Sequence, residues 1–205
     1  VSIPPVVTDL PVTGWTILRP GYGWELVFKC GTPCPPHLPP HVHSDQLSVE
    51  LSCRGQLLLS EAGTSIYGYC PERAYERSGA AHNVLQLGLA LPSGEIEWIE
   101  PVEVWGCFRA ARKAQPRHRL NGVLSDETCV VAGSHDGFDR FGASHERRVE
   151  LSDATPDQLI LTIEDAVSTC RTLYFRQWWH LAPDISKGFM NHLSFEASTA
   201  EGIHR

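Results

Sequence analysis

Short β-rich segments, separated at nearly regular intervals by Gly, Pro, Asp and Ser, constrain the fold of this chain more than any other feature. GWTILRPGYGWELVFKC (14–30), LSVELSC (47–53), QLLLS (56–60), NVLQLGL (83–89), IEWIEPVEVWGCF (96–108), ETCVVAGS (127–134), ERRVELS (146–152), QLILTIED (158–165) and TLYFRQWWHL (172–181) all follow this form. Each is rich in branched and aromatic residues and too short for a stable helix, so each reads as a strand. Only 109–115 hints at a helix. A series of such strands in 205 residues predicts an all-β chain, a large antiparallel sandwich of two sheets. The length suits a single domain spanning 1–205.

One hairpin can be read further. Between Leu47 and Glu61 two registers compete. A two-residue turn at Arg54-Gly55 mixes polar and apolar partners, whereas a three-residue turn, Cys53-Arg54-Gly55, pairs Leu51 with Leu57, Val49 with Leu59 and Leu47 with Glu61. The second register is predicted. By the two-residue period of a strand, Asp45, His43 and His41 extend that same face, with Glu61 beside His43. A carboxylate at the end of an apolar ladder needs a partner, and a metal ion supplies one. His-x-His plus a carboxylate suits zinc, with iron, nickel or copper also open, and His82 at the start of the next strand is a further nitrogen donor.

The other histidines have weaker patterns. His118, His192 and His204 read as surface residues, His37 belongs to the Pro-rich loop 33–40, and His135, His145 and His180 read as hydrogen-bonded structural groups. Seven cysteines show no repeated C-x-x-C and read chiefly as free thiols, with Cys30 and Cys34 open to pairing or metal binding. The net charge of −7 and the shortness of the basic clusters argue against a nucleic-acid surface. Apolar runs stay well short of the ~18 residues that a membrane span needs. The chain begins with Val1, which suggests a segment of something longer.

HVHSDQLSVEL, LLLSEAGTSIYG, PERAYERSGAAHNVL, GSHDGF, HERRVEL and WWHLAP occur in this order between Thr13 and His192, and together they resemble the C-terminal β-sandwich domain of the heparinase II/III-like polysaccharide lyases. The resemblance implies a supersandwich-like β-fold, preceded in the whole enzyme by an N-terminal (α/α) toroid that is absent here. It also implies β-elimination on acidic, uronic-acid-containing polysaccharide, with the cleft between the two domains. Position by position, it makes His41 a catalytic cleft residue and His43, Glu61 and His82 ligands of a structural zinc. Arg73 and Arg77 offer forked donors to substrate carboxylate or sulfate.

Two departures stand out: Glu61 replaces the family's Asp, and Ser65 stands where relatives carry an aromatic. The resemblance further implies an exported or periplasmic setting, and a domain that binds metal but is inactive without its helical partner. Two rivals remain open. A non-catalytic carbohydrate-binding sandwich is one, and the other is a cupin, whose glutamate spacing Glu50 does not match.

Overall fold

The computed structural model describes residues 3–34, 41–105, 109–112 and 114–183. Its strands are β1 (Val6–Leu10), β2 (Trp15–Gly21), β3 (Trp24–Lys29), β4 (Val49–Cys53), β5 (Gln56–Leu59), β6 (Leu85–Ala90) and β7 (Ile96–Ile99). The second half adds β8 (Glu103–Trp105), β9 (Arg109–Arg112), β10 (Pro116–Ser125), β11 (Thr128–His135), β12 (Ala143–Ser152), β13 (Ile160–Thr169) and β14 (Tyr174–Gln177). Every strand pairing is antiparallel.

Hydrogen bonding groups them as β1-β2-β3-β4-β5, β10-β11-β12-β13, β14-β6-β7 and β8-β9. The first two sheets form the sandwich. In β3 and β4 every second residue is buried, as a strand solvated on one face requires. Their inward side chains, with Leu18 of β2, form one core with Cys129, Val131, Val149 and Leu151 of β11 and β12. Each such Leu or Val stabilises the fold by about 1.5–3 kcal/mol. A second cluster, Leu85, Leu87, Ile99, Phe138 and Ala143, packs β6 and β7 beside it.

Several local expectations change. Arg109–Arg112 is a strand paired with β8, not the start of a helix. The β4–β5 hairpin takes the two-residue turn: Arg54 and Gly55 both have positive φ, 51° and 80°, and Cys53 faces Gln56. A bulge then restores the apolar match. Ser52 faces Leu57 but Leu51 faces Leu59, so Leu58 is the extra residue and turns inward, 7% exposed. The predicted pairs Leu51 with Leu57 and Val49 with Leu59 are therefore not formed.

The stretch before β4 is not a strand either. His41 and Leu47 have φ of 73° and 63°, which breaks the alternation and removes the shared face assigned to His41, His43 and Asp45. Asp45 instead forms an ion pair with Lys29. Residues 58–60 gain a further neighbour from the far end of the described chain. Leu59 bridges Leu181, while Ala182 N donates to Leu58 O and Ser60 N to His180 O.

The only α-helix among the described residues is α1 (Pro71–Arg77). Pro71 suits its first turn, and Cys70 Sγ caps it by accepting from Arg73 N at 3.4 Å. Its buried side chains are Arg73, Glu76 and Arg77. They sit at the i, i+3, i+4 spacing normally reserved for apolar residues. A sequence search for apolar periodicity therefore passes over it. No helix among the described residues is long and apolar enough to cross a membrane.

Candidate functional site

The site forms where three pieces of chain meet: the irregular stretch before β4, the loop after β5, and α1 with the 3-10 turn Gly79–Ala81 that follows it. Glu61 leaves the end of β5 and receives two donors from the far side of that turn. His82 Nδ1 contacts Glu61 Oε2, and Asn83 N donates to Glu61 Oε1 at 3.1 Å. Burial alone would lower His82, but the hydrogen bond and charge of Glu61 outweigh it and raise its pKa above the ordinary value. Burial and the same Glu61 charge also push Glu50 up.

The His43 ring centroid lies 5.3 Å from that of His82. Burial lowers its pKa to about 4, so the ring is neutral near pH 7. Its Nε2 has two polar neighbours, Arg73 Nη1 at 3.3 Å and Thr64 Oγ1 at 3.4 Å.

The donor types fit a zinc-like ion. Two imidazoles and a carboxylate are present, and His82 Nε2 is buried with no partner among the described residues. The present arrangement, however, joins Glu61 to His82 and sets Arg73 against His43. No three His, Cys, Asp or Glu side chains among the described residues are gathered closely enough to hold an ion.

Arg73 and Arg77 are among the largest fully buried side chains, 1% and 2% exposed, not the surface groups their charge suggests. Both line a cavity of about 540 Å³ together with Ser44, Tyr69, Cys70 and Glu100. Arg77 Nε donates to Val42 O at 3.0 Å, tying α1 to the His41–His43 stretch. Arg73 Nη1 donates to Thr64 Oγ1 at 3.0 Å and lies 3.5 Å from Glu76. Burial raises the Glu100 carboxyl against the hydrogen bond it accepts from Gly79 N.

His41 is exposed and apart from the Glu61–His82 pair. Its ring meets Tyr67 edge-on, centroids 5.5 Å apart, and Tyr67 in turn lies over the Arg73 guanidinium at 5.2 Å. Tyr67 thus connects the candidate catalytic histidine to a candidate substrate arginine. It is the residue that the sequence reading missed, two positions after the Ser65 noted as a lost aromatic. Ser65 has a different job here, donating through its backbone N, at 2.8 Å, and its hydroxyl to Glu76 Oε1.

Behind the site, Asn83 is fully buried and holds the pieces in place. Its Nδ2 donates to Val49 O and Ser60 O, both at 2.9 Å, and its Oδ1 accepts from His180 N at 2.7 Å. Its own carbonyl accepts from Arg147 Nη1 at 2.7 Å. Arg147 on β12 lies directly opposite Asp165 on β13, and Nε and Nη2 grip the two carboxylate oxygens at 2.8 Å each. His145 Nε2 joins them at 2.7 Å. His135 stands opposite His145 and accepts from Gly137 N at 3.0 Å. Both rings are hydrogen-bonded, as expected, whereas His180 Nε2 is buried with no partner among the described residues. His37, His192 and His204 lie outside the described residues, as does the side chain of His118. Cys34, Cys53, Cys70, Cys129 and Cys170 are free thiols in the described structure, and Cys30 Sγ donates to Ser134 O at 3.9 Å.

A search of curated proteins gave no match to this chain. The family model for heparinase II/III-like proteins, C-terminal, matches residues 3–202. That span includes both sheets of the sandwich and every residue assembled above, so the chain belongs to the heparinase II/III-like C-terminal family.

Proposed function

We propose that this chain is the β-domain of a polysaccharide lyase that cleaves uronic-acid-containing glycans by β-elimination. The observation that carries the reading is the row His41–Tyr67–Arg73, an exposed imidazole linked through one aromatic ring to a buried cation at a cavity. In the reaction a base removes the C5 proton of the uronate, the electron pair forms the C4–C5 double bond, and the C4–O bond breaks. The leaving oxygen then takes up a proton. The C5 proton is weakly acidic until the adjacent carboxylate is neutralised, and cationic or hydrogen-bonding groups supply that neutralisation. His41 serves by hydrogen-bonding the carboxylate or sharing in proton transfer, while Arg73 and Arg77 supply positive charge to the cavity wall.

A helical partner domain completes the cleft, and the acidic polysaccharide binds between the two. Zinc is the proposed ion of His43, Glu61 and His82, with a structural role: its uptake would require the Glu61–His82 contact to open, and when bound it would brace the cleft wall near His41. The purified chain is expected to hold about one zinc per molecule, with a fourth ligand beyond these three completing the tetrahedron usual for structural sites. Metal analysis in which Glu61→Gln retains as much zinc as the wild type would sink that assignment.

The lyase reading is tested by ultraviolet absorbance of the unsaturated product. The protein joined to its helical domain should be active, His41→Ala should lower the rate by about a hundredfold or more, and the 205-residue chain alone should show little activity. Full activity of the isolated chain would refute the division of labour. The exposed rings of Tyr67, Tyr69 and Tyr75 favour a second reading, a non-catalytic glycan-binding sandwich. It predicts glycan affinity unchanged by His41→Ala and no elimination in any context. Membership of the family leaves no place for the cupin alternative.

A further inference from the structure

We infer that the Nε–Nη2 edge of Arg73 is the receptor for a single planar carboxylate, which narrows the ligand of this cavity to a uronate unit and separates the roles of its two arginines. This rests on the glycan-binding reading above and goes beyond it in naming the group recognised and the atoms that recognise it.

A guanidinium presents two parallel N–H bonds along its Nε–Nη2 edge, spaced to meet the two oxygens of a carboxylate. Arg147 displays the filled form of this edge, with Nε and Nη2 each 2.8 Å from an oxygen of Asp165. In Arg73 the same two nitrogens are buried and have no hydrogen-bond partner among the described residues. The rest of the group is fixed. Nη1 is held by Thr64 and His43, the ring of Tyr67 lies over the plane, and the backbone N is capped by Cys70. An unpaired, buried, charged edge is costly to a fold, so its persistence beside a cavity marks a place kept for an acceptor.

Arg77, on the same cavity, is not the receptor. Its Nε is committed to Val42 O, which leaves it to position α1 and add charge. Sulfate suits the site less, because Glu100 lines the same cavity and its negative charge opposes a doubly charged anion more than a singly charged carboxylate. The two nitrogens are closed to bulk solvent, so entry requires the adjoining cavity lining, Gly68, Tyr69 and Cys70, to shift. Placement of the carboxylate here sets a uronate one aromatic ring away from His41.

The test is calorimetric titration of the 205-residue chain with D-glucuronate, its neutral methyl ester and inorganic sulfate. Glucuronate should bind, the ester should not, and sulfate at the same concentration should not displace glucuronate. Arg73→Lys keeps the charge but removes the fork, and should weaken glucuronate binding about tenfold, while Arg77→Lys should change it less. Equal binding of the ester, displacement by sulfate, or undiminished binding to Arg73→Lys would overturn the inference. The two proposals fail separately. Arg73-dependent glucuronate binding without elimination by the protein joined to its helical domain removes the lyase reading alone. Elimination with fork-independent glucuronate binding removes the carboxylate receptor alone.

Discussion

Arg147 and Arg73 are buried to the same degree, 0% and 1% exposed, and are provided for in opposite ways. Around Arg147 every guanidinium nitrogen meets an acceptor: Asp165 takes two bonds, Leu47 O one at 3.0 Å, and Asn83 O another. Around Arg73 the acceptors serve one nitrogen and the forked edge is left bare. Each has an aromatic ring over its guanidinium, Trp179 at 5.5 Å for Arg147 and Tyr67 at 5.2 Å for Arg73, but Trp179 packs against the core while Tyr67 is 57% exposed. A saturated buried cation holds layers together, whereas an unsaturated one beside a cavity is kept ready for a ligand. The difference separates fold from function within one sheet system.

The largest effects should fall on the saturated side. Arg147→Met strands the Asp165 carboxylate, and Asp165→Asn strands the guanidinium, so each is expected to cost about 3–5 kcal/mol in urea unfolding. Arg73→Met leaves the Glu76 carboxyl without its cation but breaks no bidentate pair, and should cost less, about 1–3 kcal/mol. If Arg73→Met is as damaging as Arg147→Met, the contrast between the two arginines collapses. Next comes Asn83→Ala, expected to cost about 2–3 kcal/mol because it leaves the carbonyls of Val49 and Ser60 and the His180 N–H without their side-chain partner. The same variant should loosen metal retention at Glu61 and His82, a coupling that metal analysis after dialysis would reveal or rule out.

Acid should act on the saturated side as well. Burial, with His145, Arg117 and Arg147 nearby, holds His135 down to about 3 in the folded chain, while an unfolded chain takes up that proton near pH 6.5. Its contribution is therefore complete above pH ~6.5 and is lost as pH falls from there toward the folded value. Asp165 adds a loss at lower pH: although burial would raise it, Arg147 and His145 hold its carboxyl well below the usual range. Between pH 7 and pH 5 His135 alone should cost the chain about 1–2 kcal/mol, with His43, also lowered, adding to the loss and His82, raised, opposing it, so His135→Gln should lose markedly less than the wild type over that interval. A urea midpoint with the same pH slope in both proteins would exclude His135 as the source. The smallest effect is expected at Tyr67→Ala, about 0.5 kcal/mol, since its ring is mostly in solvent. A much larger loss on thermal melting would make Tyr67 a structural residue and weaken the row that links His41 to Arg73.

The sandwich was legible because its strands are half-buried, and half-burial writes a period of two into residues such as Trp24, Leu26 and Phe28. The hairpin register was not. It depended on Arg54 adopting a left-handed φ and on a bulge at Leu58, and neither has a residue signature that distinguishes it from the three-residue turn expected here. Glu61 and His82 still come together. Glu61 meets His82 from the loop beyond the strand end, so the contact does not depend on the register of Leu51 and Leu57. Arg147 opposite Asp165 is a pairing between strands whose register nothing local dictates. The charged buried stripe of α1 was hidden for the opposite reason: its spacing is helical, but its chemistry is that of a surface. Sites of function are where such agreement between pattern and burial is expected to fail.

The bridge from Leu59 to Leu181 bears on how the protein is made. The first five strands pair in chain order and can pair as soon as they leave the ribosome. The segment that bridges the end of β5 arrives only about 120 residues later, so during synthesis this edge offers unpaired amide groups to any passing copy. Nascent chains halted before residue 180 should therefore be stickier than finished ones, with the late segment acting as the seal that ends this exposure.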